Sequence, residues 1–502
     1  MRILLVQPAP FEDTRLGLEN TAWMSEPVAL TSIAAMARPG DQVEILDLRC
    51  EPSSALPRRL REFRPDVVGT TSMTTDAYQA QAILRTTRGI LPSATTVIGG
   101  HHPTLMPEFF REPFVDGICK GEGEEVFQQV LDAIRDNPGK DNARLVGIQG
   151  LEVNLNGTFK DHGKSAWVKD LDALPAPSRH LIKKYAHKYF FIAAQPMASI
   201  FTSRGCSFDC NFCAIWEFYD RKVRYLSAKV IADRMEACEE DIIFLLDDNF
   251  LTNANRLWAL VEELESRNIK KFWMTQGRAD FVVRHPDLIK RLAGVGMAGL
   301  LSGYESNAED ALKQLRKRAT VNANVEAARI LKENGVIPTG IFMVRPEFTA
   351  ADFKDLYDYI LDLGIAIPLV TIQTPLPGTE LWRRKRDKLL TEDFRLFDIS
   401  HAVVPTRLPR KQFYAEFVKW KRVIDGSVKR WFTLRRMMQR PRLYRLLFKG
   451  MPHVVRRRLA FNHIQFNANS YLRDEEGIIP VDAILAPDAA PPLNFEELEA
   501  AK

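Results

Sequence analysis

The amino-acid sequence predicts an α/β fold: a doubly wound parallel sheet, then most of a βα barrel, then a helical C-terminal region. Two stretches of the chain predict the first two parts, because in each of them short apolar runs alternate with longer segments of helical periodicity. The runs end in Pro, Asp, Ser or Gly, which is typical of strands that lead into loops. After about residue 391 the alternation stops, and a basic stretch rich in aromatic and aliphatic residues predicts helices.

A chain of 502 residues is long enough for several domains. We expect a first domain (1–140), a polar connector (141–190), the barrel domain (191–390), a basic helical region (391–475) and a poorly ordered tail (476–502). Hydrophobic residues make up 46% of the chain and charged residues 26%, as in soluble globular proteins. The sequence has no uncharged apolar run of about 18 residues, so we expect no membrane-spanning helix.

The N-terminus and the cysteines predict a protein of the reducing cytoplasm. MRILLVQPAP has the pattern of a buried strand that runs straight into a domain, and not that of a signal peptide. The six cysteines are too scattered for a disulfide framework. Clustered cysteines in such a protein are typical of metal sites or reactive thiols.

In the first domain the strand-like runs are RILLVQP, QVEILDL, DVVGTTS and TTVIGGHHP, with PVALTSIAAMAR and DAYQAQAILRTTRGIL as helical segments between them. Ligands of parallel sheets bind outside the carboxyl ends of the strands. The residues that we expect at those ends are Thr70, Thr71, Ser72, Gly99, Gly100, His101 and His102.

In the barrel domain the strand-like runs are SIFTSRG, DIIFLLDDN, KFWMTQGRAD, GLLSGYES, PTGIFMV and PLVTIQTPLPG. The chemistry of βα barrels takes place at the carboxyl ends of the strands. Those ends carry unusual polar residues, which are Ser203, Arg204, Asp247, Asp248, Asn249, Gln276, Arg278, Glu305, Ser306 and the segment 374–379.

Half of the cysteines lie in one loop after the first barrel strand. Cys206, Cys210 and Cys213 have the spacing C-x3-C-x2-C. Structural zinc normally has four ligands, and no fourth Cys or nearby His completes such a set. Three thiolates can instead bind three irons of a [4Fe–4S] cluster and leave the fourth iron open to a small molecule. A zinc site or three unrelated thiols is the alternative.

The loop TSRGCSFDCNFCAIW resembles the cluster-binding loop of the radical SAM superfamily, in which S-adenosylmethionine binds the open iron. FLLDDNF, TQGRAD, GYES and TPLPGTELW follow at successive strand ends, as in the branch of that superfamily with an N-terminal cobalamin domain. EPVAL, PDVVG, GGHHPT and VDGICKGEGEE resemble that Rossmann-like cobalamin-binding domain. The resemblance covers about residues 1 to 390 and implies a [4Fe–4S] cluster, S-adenosyl-L-methionine and cobalamin as cofactors.

The resemblance also implies contacts with S-adenosylmethionine. Acidic or amide residues after the second barrel strand are expected near its amino group, since their oxygens suit an ammonium. Residues at the next two strand ends are expected near its carboxylate or ribose, and an aromatic residue between two cysteines near the cluster or the adenine. These residues are Asp247, Asp248 and Asn249, then Gln276, Arg278 and Glu305, and finally Phe212. The alternatives are a structural ion pair for Asp248 and Arg278 and an ordinary buried position for Phe212.

For cobalamin, the implied contacts are Thr70, Thr71, Ser72, Gly99, Gly100, His101 and His102. Many cobalamin domains supply a His to the cobalt from a D-x-H-x-x-G motif, but the loop PAPFEDTRLGLENTAW contains no His. We therefore expect no protein histidine at the lower axial position, and we expect His101 and His102 to flank the nucleotide tail. The alternative is that Gly99 and Gly100 form only a turn and that the histidines pack a loop.

The basic stretch at 407–458 has about seventeen Lys and Arg residues against two acids, Glu416 and Asp425. Aromatic and aliphatic residues are interleaved with them, and Pro441 and Pro452 divide the stretch into short helices. Basic helices with apolar faces fit a membrane surface. A helical cap on the barrel is the second interpretation, and nucleic-acid binding, which we do not expect, is the third.

The resemblance implies a radical mechanism. A 5′-deoxyadenosyl radical removes hydrogen from an unactivated carbon, the substrate radical takes a methyl group from methylcobalamin, and a second S-adenosylmethionine re-methylates the cobalt. No catalytic residue is predicted beyond the cluster ligands. The segments FRLFDISHAVVPTRLPRKQFY, IGGHHPTLMPE and FMVRPEF are similar to the bacterial hopanoid C-3 methylases and their relatives. The sequence thus predicts a C-methyltransferase for an apolar, lipid-like substrate, with an external electron donor of flavodoxin or ferredoxin type and peripheral contact with the inner membrane face.

Alternatives to this function remain open. The anaerobic Mg-protoporphyrin monomethyl ester cyclase shares the architecture and acts on a membrane-associated apolar substrate by oxidation and hydration. A non-catalytic sensor that binds cobalamin and an iron–sulfur cluster would need an output domain, for which the basic stretch is the candidate. An electron carrier would need four cluster ligands.

Overall fold

The computed structural model describes residues 1–9, 23–52, 54–139, 141–431, 433–461 and 468–476. Its strands are β1 Arg2–Gln7, β2 Trp23–Met24, β3 Gln42–Asp47, β4 Val67–Thr71, β5 Thr95–Gly99, β6 Gly117–Cys119, β7 Leu151–Leu155, β8 Thr158–Asp161, β9 Phe190–Phe191, β10 Ala198–Ile200, β11 Ser203–Arg204, β12 Arg224–Tyr225, β13 Ile242–Leu245, β14 Phe272–Gln276, β15 Met297–Glu305, β16 Ile337–Val344 and β17 Ile367–Ile372. The predicted tail beyond residue 476 and most of the His-free loop after β1 lie outside the described residues.

The α-helices of these residues are α1 Val28–Ala34, α2 Ala55–Phe63, α3 Ala77–Ile90, α4 His101–Leu105, α5 Glu124–Asp136, α6 Ile215–Phe218, α7 Ala228–Glu236, α8 Ala254–Ser266, α9 Ala279–Arg284, α10 Pro286–Gly294, α11 Glu309–Gln314, α12 Val321–Glu333, α13 Ala350–Leu363, α14 Glu380–Lys385, α15 Arg410–Phe417, α16 Trp420–Trp431, α17 Leu434–Gln439, α18 Pro441–Phe461 and α19 Ala468–Glu476. Short 3-10 helices occupy Pro107–Phe110, Asn142–Leu145, Leu171–Ala173, Arg179–Lys188, Arg386–Lys388 and Phe394–Leu396.

Seven of the described strands form the first sheet, in the order β3-β1-β4-β5-β6-β7-β8. The pairs from β3 to β6 are parallel. Side chains of β1 alternate between two cores: Leu4 and Val6 pack with α2 and α3, whereas Ile3 and Leu5 pack with α5. Helices therefore cover both faces of the sheet, which confirms the predicted doubly wound fold.

The first sheet continues into the segment that the sequence analysis predicts to be a connector. β7 runs antiparallel to β6, with Cys119 opposite Leu151, and β8 runs antiparallel to β7. These strands lack the apolar runs that mark the others, because β6 has only three residues and β8 is largely exposed. The sheet of the first domain therefore extends to Asp161.

The described barrel strands form a second sheet, in the order β10-β13-β14-β15-β16-β17, and every neighbouring pair is parallel. Spatial order follows chain order, and β10 and β17 are the two edges. Outward-facing residues such as Trp273 and Phe342 pack against the surrounding helices in the largest apolar core. This is the partial βα barrel that the sequence predicts.

The C-terminal helices pack on the barrel from two sides. On the outside, Phe413 of α15 contacts Phe353 of α13, with ring centroids 5.3 Å apart. At the amino ends of the strands, Trp431 and Leu443 share an apolar cluster with Ala298 and Ile337. These contacts are those of the barrel-cap interpretation. Within the described ranges, none of the helices has the length and apolarity needed to cross a membrane.

Candidate active site

The carboxyl ends of the two parallel sheets face each other. His101, which follows β5, stacks on Phe218 of α6, with ring centroids 5.2 Å apart and planes 10° from parallel. The ring of His102 lies 4.6 Å from that of Phe394, which follows the barrel strands in the chain. Because both kinds of sheet bind ligands at the carboxyl ends of their strands, the two predicted sites lie at edges that face each other.

A sharp turn opens the cysteine loop. Gly205 has a φ of +90°, and a Cβ there would collide with the carbonyl oxygen of Lys222, so only glycine fits. The Cys210 carbonyl accepts hydrogen bonds from the Cys213 N–H at 3.1 Å and from Trp216 Nε1 at 2.9 Å. Local hydrogen bonds therefore fold the loop that carries the three thiols.

Burial affects the ionisation of all three thiols of the loop in the same direction. Burial raises the pKa of each thiol, and for Cys213, whose pKa rises to about 12, the charges of Cys210 and Cys206 add to the effect. Metal binding requires the thiolate, and bound iron supplies the positive charge that stabilises it. In the part of the chain that the structure describes, no three His, Cys, Asp or Glu side chains are grouped around a single-ion site. A four-iron cluster binds each thiolate through a different iron, so this loop fits such a cluster.

The residues after β13 occupy three different environments. Asp247 is fully buried and accepts hydrogen bonds from the Ser203 N–H at 3.0 Å and the Ser203 hydroxyl at 2.7 Å. Asp248 accepts a hydrogen bond from the Gly205 N–H at 3.1 Å, and burial, helped by the charge of Asp247, raises the pKa of Asp248 to about 6. Asn249 is 2% exposed, and neither polar atom of its side chain has a hydrogen-bond partner among the described residues. A buried amide without partners needs a polar group from outside the described chain, which a bound ligand or a water molecule can supply.

Arg278 and Glu305 are buried at the next two strand ends. Arg278 Nε donates to Asp280 at 2.8 Å, its Nη2 donates to the Lys317 carbonyl at 2.5 Å, and its guanidinium lies 3.6 Å from the ring centroid of Phe208. Lys317 Nζ donates to one Glu305 oxygen at 2.8 Å, while the other oxygen has no partner in the described chain. Arg278 thus pairs with Asp280, two residues further along the chain. One carboxylate oxygen of Glu305 has no partner among the described residues and is available to a ligand.

At the carboxyl edge of the first sheet, glycine permits a close backbone approach. Gly100 has a φ of +109°, and a Cβ there would lie 2.5 Å from the Thr71 hydroxyl oxygen. The Thr70 hydroxyl donates to the Val6 carbonyl of β1 at 2.8 Å. The Ser72 hydroxyl donates to the carbonyl of the following residue, Met73, at 2.7 Å. Thr71 and Gly99 are half-buried, so the edge remains partly accessible.

Of the two histidines of this edge, His102 is buried and His101 is half-buried, and both are only partly hydrogen-bonded. Burial lowers the pKa of His101 to about 4 and that of His102 to about 3. His102 Nδ1 lies 3.2 Å from the Thr74 hydroxyl, but neither histidine has a partner for Nε2 among the described residues. Two buried imidazole nitrogens without partners fit an edge that receives a polar ligand.

The structure adds residues that the sequence analysis does not single out. Lys317 lies in the run RKR, which is typical of a solvated surface, yet it is buried against Glu305. Asn211 Nδ2 donates across the loop to the Gln314 carbonyl at 2.8 Å, and Met73 is 57% exposed directly after Ser72. No local signal marks Lys317 or Asn211, because the contacts of both depend on a distant segment. Gln276 and Phe212, which the sequence does predict, are both half-buried.

Comparison with known proteins gives two family matches. Residues 18–131 match the B12 binding domain, and residues 200–360 match the Radical SAM superfamily. The chain is 29% identical over 492 residues to the hopanoid C-3 methylase of Methylococcus capsulatus, covering 97% of this chain and 92% of that protein. It is 25% identical over 417 residues to the anaerobic magnesium-protoporphyrin IX monomethyl ester cyclase of Rubrivivax gelatinosus, covering 80% of this chain and 73% of that protein.

Among solved structures, the cobalamin-dependent S-adenosylmethionine radical enzyme OxsB with bound aqua-cobalamin has the same fold. The TM-score is 0.66 at 17% identity, and the match covers 100% of this chain and 81% of that one. The likeness therefore extends over both sheets and the helical C-terminal region.

Proposed function

We propose that this chain methylates an unactivated carbon of an apolar substrate. It combines a B12-binding domain with a radical SAM domain, and it is therefore an enzyme that uses cobalamin, S-adenosylmethionine and a [4Fe–4S] cluster. The observation that carries the proposal is the stacking of His101 on Phe218, because it joins the edge of the B12-binding sheet to the helix that follows the cysteine loop. When bound, the cofactors supply the radical and the methyl group.

In this proposal the protein holds the cofactors and excludes water. Cys206, Cys210 and Cys213 bind the cluster, and Asn249 and Glu305 offer unpaired polar atoms to S-adenosylmethionine. The other residues proposed for that ligand are Phe212, Asp247, Asp248, Gln276 and Arg278. Asp247, Asp248 and Arg278 already form hydrogen bonds within the protein, so we propose that they fix the shape of the site.

The proposed cobalamin contacts are Thr70, Thr71, Ser72, Gly99, Gly100, His101 and His102. Gly100 lets the loop after β5 pack directly against Thr71 and Ser72, which brings the two loops of this edge together. His101 and His102 can bind polar groups of that ligand through Nε2.

The proposed substrate is an apolar lipid of the hopanoid type, methylated at C-3. The relative at 29% identity, which spans nearly the whole chain, supports this choice.

The proposed membrane contact lies on α18. Phe448 is 53% and Met451 41% exposed, and the exposed Arg445 and Lys449 accompany them on this helix. Apolar and basic side chains on one surface helix suit an anionic membrane surface. We expect Phe448→Ser to reduce flotation with phosphatidylglycerol-containing vesicles, whereas Trp258→Ser, at a 38% exposed position of α8, leaves it unchanged. Equal flotation of both variants would remove the membrane contact from the proposal.

Anaerobic reconstitution with iron, sulfide and cobalamin tests the radical chemistry. With S-adenosylmethionine and a reductant such as flavodoxin or ferredoxin, we expect formation of 5′-deoxyadenosine. Formation no higher than background contradicts the proposal.

Expression in a strain that makes unmethylated hopanoids tests the substrate, with a mass gain of one CH₂ group as the expected result. Unchanged hopanoids with continued deoxyadenosine formation remove the lipid assignment only. The second candidate is then an oxidative cyclase, which the relative at 25% identity favours. Oxidation of Mg-protoporphyrin monomethyl ester, without methyl transfer, would identify that activity.

A further inference from the structure

Two carboxylates of the B12-binding domain meet two arginines of the barrel domain in an interdomain ion cluster, which comprises Glu122, Glu124, Arg204 and Arg224. Arg204 donates to Glu122 at 2.7 Å and also pairs with Glu124. Arg224 donates to both oxygens of Glu122, at 2.6 and 2.9 Å. The four side chains are between 3 and 17% exposed, so solvent screens these charges little.

Local structure on both sides presents these groups to each other. Arg204 and Arg224 lie opposite each other in the antiparallel pair β11–β12, so both guanidiniums project from the same face. On the other side, Glu122 stands between two glycines, in GEG. Gly121 has a φ of +100°, and a Cβ on Gly123 would lie 2.9 Å from the Ile33 side chain. The motif KGEGEE therefore has a structural reason for its glycines as well as for its acids.

The cluster is better suited to fixing an orientation than to adding stability. A buried ion pair gives little net stability compared with apolar contact, because its charges lose their hydration. Its bidentate hydrogen bonds, however, are short and directional. The cluster also balances two negative charges with two positive ones, so removing a single charge leaves another buried without compensation.

The cluster holds the chain directly before the first cysteine. Arg204 precedes Gly205 and Cys206, and the Gly205 N–H is bound by Asp248 of the barrel. The start of the cysteine loop is thus held by the B12-binding domain through one residue and by the barrel through the next. We propose that the interdomain ion cluster positions the cysteine loop relative to the cobalamin edge, and that its four members are positioning residues for methyl transfer. This inference rests on the proposed function.

A second ion cluster, in which two buried carboxylates meet the half-buried Arg179, offers a control. Arg179 joins Glu26 of the B12-binding domain, at 2.7 Å, to Glu240 of the barrel domain, at 3.0 Å. Glu26 also accepts a hydrogen bond from the Ser199 N–H of β10, at 3.0 Å. This cluster joins the same two domains without contacting the cysteine loop, so Glu26→Gln weakens the domain contact and leaves the loop's own attachment intact.

Hydrogen exchange of the cofactor-free chain tests the positioning without reference to activity. We expect Glu122→Gln to raise amide exchange at 203–213 by about tenfold or more, since loss of one partner of a buried ion pair costs several kcal/mol. Glu26→Gln should leave exchange at 203–213 at the wild-type level. Unchanged exchange in Glu122→Gln, or an equal rise in both variants, overturns the inference.

The reconstituted enzyme gives the second readout, which is the amount of methylated product per 5′-deoxyadenosine. We expect Glu122→Gln to retain iron, cobalamin and deoxyadenosine formation while this ratio falls between tenfold and about a hundredfold, because small displacements of reacting groups have effects of that size. Glu26→Gln should keep the wild-type ratio, and an unchanged ratio in Glu122→Gln overturns the inference. Absence of methylation in the wild type contradicts the proposed function, and the exchange result then still decides whether the cluster positions the loop.

Discussion

The two ends of the barrel are built from opposite kinds of side chain. At the carboxyl ends of the strands, buried ionic and amide groups such as Asp247, Arg278 and Asn249 gather around the cysteine loop. At the amino ends, the C-terminal helices bury Trp431 and Leu443 in an apolar cluster. Buried polar groups are costly unless they have partners, whereas buried apolar groups stabilise. The difference supports our proposal that the carboxyl end binds ligands, and it shows that the amino end contributes apolar packing.

Substitutions should therefore divide into two classes. At the carboxyl end, substitutions of the cysteine ligands and of polar groups without a partner in the described chain should remove ligand binding and chemistry with little effect on unfolding. Those at the amino end should lower the free energy of unfolding and leave the chemistry of the folded fraction unchanged.

The largest effect is expected at the cysteine loop. Cys206→Ala, Cys210→Ala or Cys213→Ala removes one cluster ligand, so 5′-deoxyadenosine formation should fall to background while cobalamin binding persists. Iron content and deoxyadenosine are the measurements. Cys238→Ala is the control, because Cys238 is a buried free thiol in the core outside the loop. Loss of activity in this control as well would contradict the special role of the loop.

At the opposite end, Trp431→Ala should lower the free energy of unfolding by about 3–5 kcal/mol, because it leaves a large cavity in the amino-end cluster. Trp431 is 2% exposed, and chemical denaturation of the cofactor-free chain measures the change. Trp258→Ala, at the half-exposed position, should change it much less. The division between the two ends breaks if Trp431→Ala abolishes deoxyadenosine formation in the folded fraction.

Asn249 tests the comparison between the two ends most directly, because we expect it to contribute to ligand binding but not to the stability of the fold. Asn249→Ala removes two buried polar atoms without partners, so the free energy of unfolding should stay constant or rise by about 1 kcal/mol. Affinity for S-adenosylmethionine should fall about tenfold, since a hydrogen bond to a charged group contributes about 1.5 kcal/mol. Asn324→Ala is the control: Asn324 is equally buried but donates to the Tyr304 carbonyl at 3.1 Å. A loss of stability in this control, together with unchanged affinity, is the expected contrast.

The smallest effect concerns pH and the cobalamin edge. His101 and His102 ionise in the folded chain only near pH 4 and 3, below the ordinary value of 6.5. Between pH 6.5 and the pKa of each histidine in the folded chain, the unfolded chain binds more protons than the folded chain does. The stability that the neutral histidines contribute is therefore fully present above pH 6.5 and is lost as the pH falls. At pH 5.5 the loss is about 1 kcal/mol for each histidine.

Thermal midpoints of the cofactor-free protein at pH 7.5 and 5.5 measure this dependence. His102→Gln should flatten it, whereas substitution of the exposed His453 by Gln should not. An equal pH dependence in wild type and His102→Gln contradicts the assignment to this residue.

Much of the fold follows from local pattern. The runs that became β1, β3, β4 and β5, and all six barrel strands, are apolar and end in polar residues, so periodicity predicts them. β6 has only three residues, β8 is largely exposed, and polar residues interrupt the buried β7, so none of the three carries such a run. Their pairing depends on contacts between distant segments.

The candidate site divides in the same way. The spacing of Cys206, Cys210 and Cys213 is visible in the sequence, because all three ligands lie on one loop. The burial of Lys317 against Glu305, and the pairing of Arg204 with Glu122, join residues from separate segments. Only folding brings these charged residues together. From composition alone, each of them is expected to lie on the solvent-exposed surface.

The closure of the barrel by α18 has a consequence for synthesis of the chain. The last barrel strand ends at Ile372, but Leu447 and Gly450, which pack under the barrel, are added much later. A Cβ at Gly450 would collide with the Ala193 carbonyl, so the helix docks directly on the turn before β10. On the ribosome the barrel therefore has an open apolar floor until α18 emerges. At this nascent stage the apolar interior is exposed to other chains, which is the condition under which incompletely folded chains aggregate.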